Sequence, residues 1–465
     1  MSTVQRKAPV IVVDGYSMGR EIVRGLLERH VDCFHIRSSE HRSADAHSFE
    51  ASLFQADLGY LGDPIACANA LALLSPAAVV AGSDGGMSYA SKIGRALGLA
   101  TDATGAGDVA SDKFATIAAA RCAGLNVPEQ TLASNASEAR AWAEPRNRWP
   151  VVVKRNAGCG AAGLRICYKP HQIDAAFAEH SGILRESGHN EPLLLQSFAF
   201  GRQYVVNTVS RAGKHYVSDA WRRTLCSIAA TAVVPKELYL LDPKSVPAAA
   251  LFENTRRALD ALGIRNGAAR TELKWIRNGV TFLGTSSQLM NVSSHRGAHR
   301  EAGLPAQSNV LAASLASSRE EWDRNFGSRK YKLRKPMVKL FFSFDAPGVV
   351  QSVRGLARLQ KLRSFQAHDG ALAPGDTVWR TADTRGHGGV VHLVHAEAEQ
   401  IARDIQTIRE WESGGELYDV ATEGSPEMLI PRALLMKSPT IRGARQPVRC
   451  PDYDSRAPGK SRERC

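Results

Sequence analysis

Short apolar runs of strand length alternate with helix-periodic stretches at the start of this chain, and that alternation restricts its fold more than any other feature. Pro9 to Val13 is a compact apolar run, followed by the turn Asp14-Gly15-Tyr16-Ser17-Met18-Gly19 and then by helical periodicity from Arg20 to Arg29. Val31 to Arg37 reads as a second strand, and Ala78 to Gly82 as a third after the helix-like Pro64 to Leu74. Strands that alternate with helices join in parallel, with helices covering the faces of the sheet. Gly15 and Gly19 alone do not make a GxGxxG dinucleotide fingerprint, so the lobe is expected to be Rossmann-like without a bound NAD.

Beyond this lobe the pattern changes. Ser111 to Gly124 and Ala136 to Ala143 read as helices, Trp149 to Lys154 as a buried strand, and Pro192 to Gln196 as another. Tyr204 to Val209 is β-rich and is expected to pair with His215 to Trp221 across Arg211-Ala212-Gly213. After an amphipathic helix from Pro247 to Gly263, Asn278-Gly279 sits between two β-prone runs, which is a strong hairpin signal and puts Glu272 on the hairpin's first strand. A polar connector, Ser317 to Lys335, precedes a small β-rich unit from Pro336 to about Tyr418 that closes with a helix from Ala396 to Trp411. At roughly 150 residues per domain, a chain of 465 residues accommodates about three such units.

Lys154 ends an apolar strand and is followed by Asn156-Ala157-Gly158-Cys159-Gly160-Ala161-Ala162-Gly163. A phosphate site needs this combination, because closely packed backbone N–H groups and one ammonium can surround the anion. The run lacks the GxxxxGK[ST] order of a Walker loop, and on its own a mobile hairpin loop accounts for it better.

The net charge is +13, which leaves open nucleic acid, anionic lipid or anionic small ligands. Its distribution narrows the choice. From Ile441 to Cys465 seven basic residues stand against three acidic ones, so a Pro/Arg-rich tail carries +4 of the excess. Only Tyr453 in that tail can stack on a base, so no specific nucleic acid is expected as a partner. Eight cysteines without a CxxC pair argue against a zinc site or a disulfide framework. Met1 to Lys7 is polar, and no stretch reaches the length of a membrane helix, so a cytoplasmic protein without a membrane partner is expected.

Taken in order, these pieces resemble the ATP-grasp superfamily, in particular its branch of carboxylate–amine ligases of the L-amino-acid ligase type. The resemblance rests on Val80-Ala81-Gly82-Ser83-Asp84-Gly85-Gly86, Asp112-Lys113-Phe114, Pro150 to Lys154 with the glycine loop, Leu194-Leu195-Gln196, Tyr204 to Ser210, and Gly263 to Leu273. It covers about Pro9 to Val420. It implies a fold class of α/β and α+β: a Rossmann-like N-terminal lobe over 1–105, an ATP-grasp domain with two antiparallel sheets over 106–316, and a small β-rich C-terminal domain over 336–420. The basic tail, 421–465, lies outside it. It also implies ATP and Mg2+ as cofactors, a small acid and an amine as substrates, and an acyl-phosphate intermediate. Catalysis of such a transfer is mostly charge stabilisation and positioning. By motif position Lys113 and Lys154 would contact phosphates, and Gly158, Gly160 and Gly163 would close over them. Gln196, Ser197, Phe198 and Gln203 would surround the nucleotide, with adenine received by the backbone at Ser197 and Phe198. Glu272 would hold magnesium.

The sequence also departs from the family's pattern. The second metal-ligand motif, a Glu followed at two-residue steps by a small residue or Asn and an Arg, reads here Gly284, Ser286 and Gln288. A glycine cannot ligate metal, and loss of the Arg removes a bidentate partner for the substrate. The usual His before Thr-Glu is Arg270, a catalytic candidate that could supply the lost guanidinium from the neighbouring strand. Acids expected elsewhere are replaced by Ser197, Gln203 and Asn207. Two functions therefore stay open: an ATP-dependent ligase that forms an amide or peptide bond, and a degenerate relative that binds nucleotide or a partner without ligase activity. A homodimer would be the commonest assembly.

Overall fold

The computed structural model describes residues 7–16, 18–41, 48–99, 112–146, 149–157, 164–187, 191–229, 232–277, 279–287, 289–290, 295–327, 331–370, 372–381 and 387–421. The first strands are β1 (Val10–Val13), β2 (Cys33–Ile36), β3 (Ala56–Asp57) and β4 (Ala78–Ala81). They form a parallel sheet in the order β3-β2-β1-β4. All four residues of β1 are fully buried, as a central strand covered on both faces requires. Helix α1 (Met18–Leu27) lies on one face, and α2 (Pro64–Ala72) and α3 (Met87–Ala96) pack on the other. The carboxylate of Asp63 caps α2, and Pro64 occupies its first turn.

A second sheet is antiparallel and holds β5 (Gln130–Ala133), β6 (Val151–Arg155), β7 (Arg165–Cys167) and β8 (Leu193–Ser197) in the order β5-β8-β6-β7. Helix α4 (Lys113–Cys122) leads into it. Asp112 caps this helix by accepting a hydrogen bond from Ala115 N at 2.8 Å, which fixes Lys113 as its first residue. Helices α5 (Ala136–Ala143) and α6 (Pro170–Ser187) pack beside each other on this sheet.

The third sheet has eight strands. Four of them form consecutive antiparallel pairs: β9 (Arg202–Arg211) with β10 (Lys214–Ala229), and β12 (Gly267–Ile276) with β13 (Gly279–Ser286). With β11 (Ala232–Leu240), β14 (Met337–Phe341), β16 (Phe365–Asp369) and β18 (Val390–Val394) the order is β13-β12-β9-β10-β11-β14-β18-β16. The C-terminal β-rich region is thus built onto the same sheet through β14. A separate three-stranded sheet of β15 (Gly348–Ser352), β17 (Thr377–Val378) and β19 (Asp419–Ala421) completes the strands.

One face of the large sheet packs on helix α7 (Ala248–Ala261) and on α4 around Val206, Ala269, Leu273 and Phe282. The opposite face bears polar and charged residues toward its middle. At one end of that face Val209, Tyr216 and Ala268 meet α9 (Gln307–Ala316), Trp322 and the buried side of the N-terminal lobe in one core. Helix α8 (Arg296–Ala302) packs near the strands β14 and β18, and α10 (Ala398–Ser413) covers the C-terminal strands. Among the described residues no helix is long and apolar enough to cross a membrane.

Candidate active site

Strand register decides which side chains meet. On β12 the residues Arg270, Glu272 and Lys274 pair with Asn207, Val205 and Gln203 of β9. These pair in turn with Asp219, Trp221 and Arg223 of β10. Directly paired residues project to one face of a sheet, so Glu272, Arg270, Gln203 and Arg223 share one polar patch. One cation from outside this sheet acts on it, Lys154 near the end of β6, and Lys113 at the start of α4 stands close to Lys154 in turn.

Glu272 is the centre of this patch. Its Oε1 lies 3.6 Å from Arg223 Nη2 and 3.7 Å from Arg270 Nη2, and its Oε2 accepts a hydrogen bond from Gln203 Nε2 at 3.3 Å. The carboxylate is 29% exposed and each guanidinium side chain 15%. Burial alone would raise the Glu272 pKa, yet Arg223, Arg270, Lys154 and the Gln203 hydrogen bond hold it below the usual carboxylate range. Lys154 is pushed down to about 8, first by burial and then by Lys113, with Glu272 opposing. Lys113 donates to the carbonyls of Asn156 and Ala157, each at 3.3 Å. A cation at a helix N-terminus works against the helix dipole. Ammonium and helix end together favour an anion there.

The remaining expected site residues are placed as follows. Gln196 is buried and donates to Gln130 Oε1 at 3.1 Å, while Gln130 donates to the carbonyl of Phe114. It ties β8 to β5 and to α4. The N–H of Ser197 is held by the Glu129 carbonyl and that of Phe198 by the Pro150 carbonyl, so neither N–H is left for a base. The Phe198 ring lies 4.3 Å under the Lys274 ammonium. Gly158, Gly160, Gly163 and Gln288 lie outside the described residues.

Arg223 was not foreseen from the sequence. A bulge in β10 between Val217 and Asp219 shifts the register by one residue, so Arg223, and not Arg222, is paired with Gln203. Arg222 turns to the other side, with its guanidinium carbon 4.2 Å from the Tyr239 ring centre.

A second polar group is buried further along the same face. Lys339 of β14 lies 4.6 Å over the Trp221 ring, and burial lowers its pKa to about 8 against the pull of Asp219 and Asp369. Asp219 is buried too, with hydrogen bonds from Asn207, Trp221 and Ser218. The space between these groups, Met290, His299 and Gln307 is about 10 Å³, room for a water molecule and no more.

No family model matches the chain. Dapdiamide A synthase of Enterobacter agglomerans is 22% identical over 439 residues, which cover 89% of this chain and 98% of that protein. The crystal structure of L-amino acid ligase from Bacillus licheniformis superposes with a TM-score of 0.70 at 12% identity, covering 90% of this chain and all of the other. The fold is ATP-grasp. A further structural match is the biotin carboxylase domain of the Hydrogenobacter thermophilus 2-oxoglutarate carboxylase, in complex with MgADP, ADP and bicarbonate. It has a TM-score of 0.61 at 12% identity and covers 90% of this chain and 91% of the other.

Magnesium can be tested against the donors present. Among the described residues no group of three or more His, Cys, Asp or Glu could hold a metal ion. Gly284 lies directly opposite Glu272 in the β12–β13 ladder, at a bulge, with φ +155°. Glu272 alone does not cage a cation. It does suit a Mg2+ that arrives on a triphosphate, because Mg2+ is commonly held by one or two carboxylates plus phosphate oxygens.

Proposed function

We infer that this ATP-grasp protein is an ATP-dependent carboxylate–amine ligase that forms an amide or peptide bond through an acyl phosphate. The observation that carries this reading is the convergence of Lys154, Arg223 and Arg270 on Glu272, with Lys113 close to Lys154, at the place where residues from two antiparallel sheets meet. Four cations against one carboxylate leave a net charge of +3, a strong preference for a polyanion such as a triphosphate. The likeness to dapdiamide A synthase and to an L-amino acid ligase supports an acid and an amine as the substrates.

In this mechanism Lys154 and Lys113 hold the phosphate chain and Arg270 steadies the transferred group. An oxygen of the substrate carboxylate attacks the γ-phosphorus. The bond to the bridging oxygen breaks, and ADP leaves with the electron pair. The amine then attacks the acyl carbon, phosphate departs with the C–O electrons, and the nitrogen loses its proton to water. Bound Mg2+, held by Glu272 and phosphate oxygens, would neutralise part of the triphosphate charge. Positioned cations of this kind act in a poorly solvated site, where charge stabilisation is strongest.

Titration calorimetry with ATP and Mg2+ tests the binding step, on the native protein and on Lys154→Ala. Binding lost in the variant supports the site. Mg2+-dependent ADP release over a panel of acids and amines tests the ligase. Gly284 favours a second reading, in which nucleotide binds and no ligation follows; nucleotide binding without any acid- and amine-dependent ADP release would select it.

A further inference from the structure

Arg223 and Arg270 are held in an unusual state for buried guanidinium groups. Each approaches Glu272 with one Nη2, at 3.6 and 3.7 Å, well beyond the 2.7–2.9 Å of a charge-assisted hydrogen bond. The Nε atoms of both are buried and make no hydrogen bond among the described residues. A buried N–H without an acceptor is costly, and two of them side by side, on strands flanking β9, point to an acceptor that the described residues do not supply. The same stretch of sheet lacks a carboxylate where Gly284 faces Glu272, so negative charge is missing where positive charge is in excess.

We propose that Arg223 and Arg270 form a two-guanidinium clamp for the phosphoryl group being transferred, and that this clamp takes the place of a second divalent ion, so that nucleotide binds with one metal ion only. This rests on the ATP-dependent reading above. A guanidinium offers planar paired donors that match a phosphoryl oxygen pair. A second Mg2+ would add two further positive charges to a patch that already carries +3 with a single carboxylate to oppose them. The clamp and the lone carboxylate therefore belong together. Glu272 holds the one ion, and the two arginines do the rest of the neutralising.

The experiment counts metal ions. Mn2+ replaces Mg2+, a non-hydrolysable ATP analogue saturates the protein, and electron paramagnetic resonance gives bound Mn2+ per bound nucleotide, with nucleotide affinity from calorimetry. The proposal expects one Mn2+ per nucleotide in the native protein. Arg223→Met and Arg270→Met should each weaken nucleotide binding by about tenfold or more, whereas Arg222→Met, on the other side of β10, should change it by less than about twofold. Glu272→Gln serves where an arginine variant fails to fold: it should lose the bound Mn2+ and still bind the metal-free analogue at least as tightly. Two Mn2+ per nucleotide, or unchanged affinity in both arginine variants, overturns the clamp and leaves the ligase reading standing. No nucleotide binding by the native protein overturns both.

Discussion

Lys154 keeps an ammonium where water is scarce and another lysine is close. Its pKa of about 8 in the free protein makes nucleotide binding depend on pH in a definite direction. A bound polyanion favours the charged lysine and raises its pKa. Below about pH 7 the group is protonated in both states and no proton moves. Above pH 8 the free group is neutral, so binding takes up a proton and affinity falls with rising pH, by up to tenfold per unit. Calorimetry at pH 8.5 in two buffers of different ionisation enthalpy should show close to one proton taken up. Lys154→Arg, whose guanidinium stays charged throughout, should show none, and its affinity should be flat over the same range. Lys113, Lys154 and Glu272 were legible because each sits in a short local pattern, namely a helix start, a strand end before a glycine run, and a hairpin strand. Gln196, expected to contact the nucleotide, bonds Gln130, a partner the sequence did not suggest because it lies 66 positions earlier and becomes a neighbour only by strand pairing.

At the scale of elements, irregularities in strand pairing hid the rest of the site. The hairpin between β9 and β10 could be read from its turn, but the residue that leaves the ladder near Ser218 could not, and that one-residue slip decides whether Arg222 or Arg223 faces Glu272. The bulge between β12 and β13 works in the same way. Gly284 there has open space around its Cβ position, so a side chain meets no obstacle, but φ +155° is a poor conformation for any residue except glycine. Gly284→Ala and Gly284→Glu should therefore both lower unfolding stability by about 1 kcal/mol, seen as a matched fall in urea midpoint. A much larger loss in Glu than in Ala would contradict the open space. Arg409 of α10 is a different kind of joint. It donates to the carbonyls of Phe341 and Lys236 and to the carboxylates of Glu237 (2.7 Å) and Glu412 (2.6 Å), fastening the helix to β11 and β14. Arg409→Ala strands the buried Glu237 carboxylate, and should cost about 3 kcal/mol in chemical unfolding. Lysine at this position should recover less than half of it, because one ammonium cannot span the same acceptors.

For the molecule as a whole, the parallel N-terminal lobe was legible from strand–helix alternation, and the two antiparallel sheets from the order of motifs. The joining of β14 to β11 was not, since nothing local in Met337–Phe341 says which edge it will meet. Docking of the N-terminal lobe depends on a close helix crossing. A Cβ on Gly25 of α1 would lie 2.8 Å from the Ala312 Cβ of α9. Gly25→Val should push the helices apart and destabilise the protein by about 1–3 kcal/mol, and Ala312→Gly in the same chain should restore part of that loss. Thermal unfolding of the two single variants and the double variant measures it; strictly additive losses would mean that α1 and α9 do not clash at this crossing.

That shared core also sets a timetable for synthesis. Ile22 and Leu26 of α1 share a core with Val310, Leu311 and Trp322, which are made long after the first four strands have left the ribosome. At roughly 5–20 residues per second, the interval is on the order of tens of seconds. Throughout it one side of the newborn lobe shows water a row of aliphatic side chains with nothing to rest on, and a chaperone that shields such surfaces would have its longest engagement there.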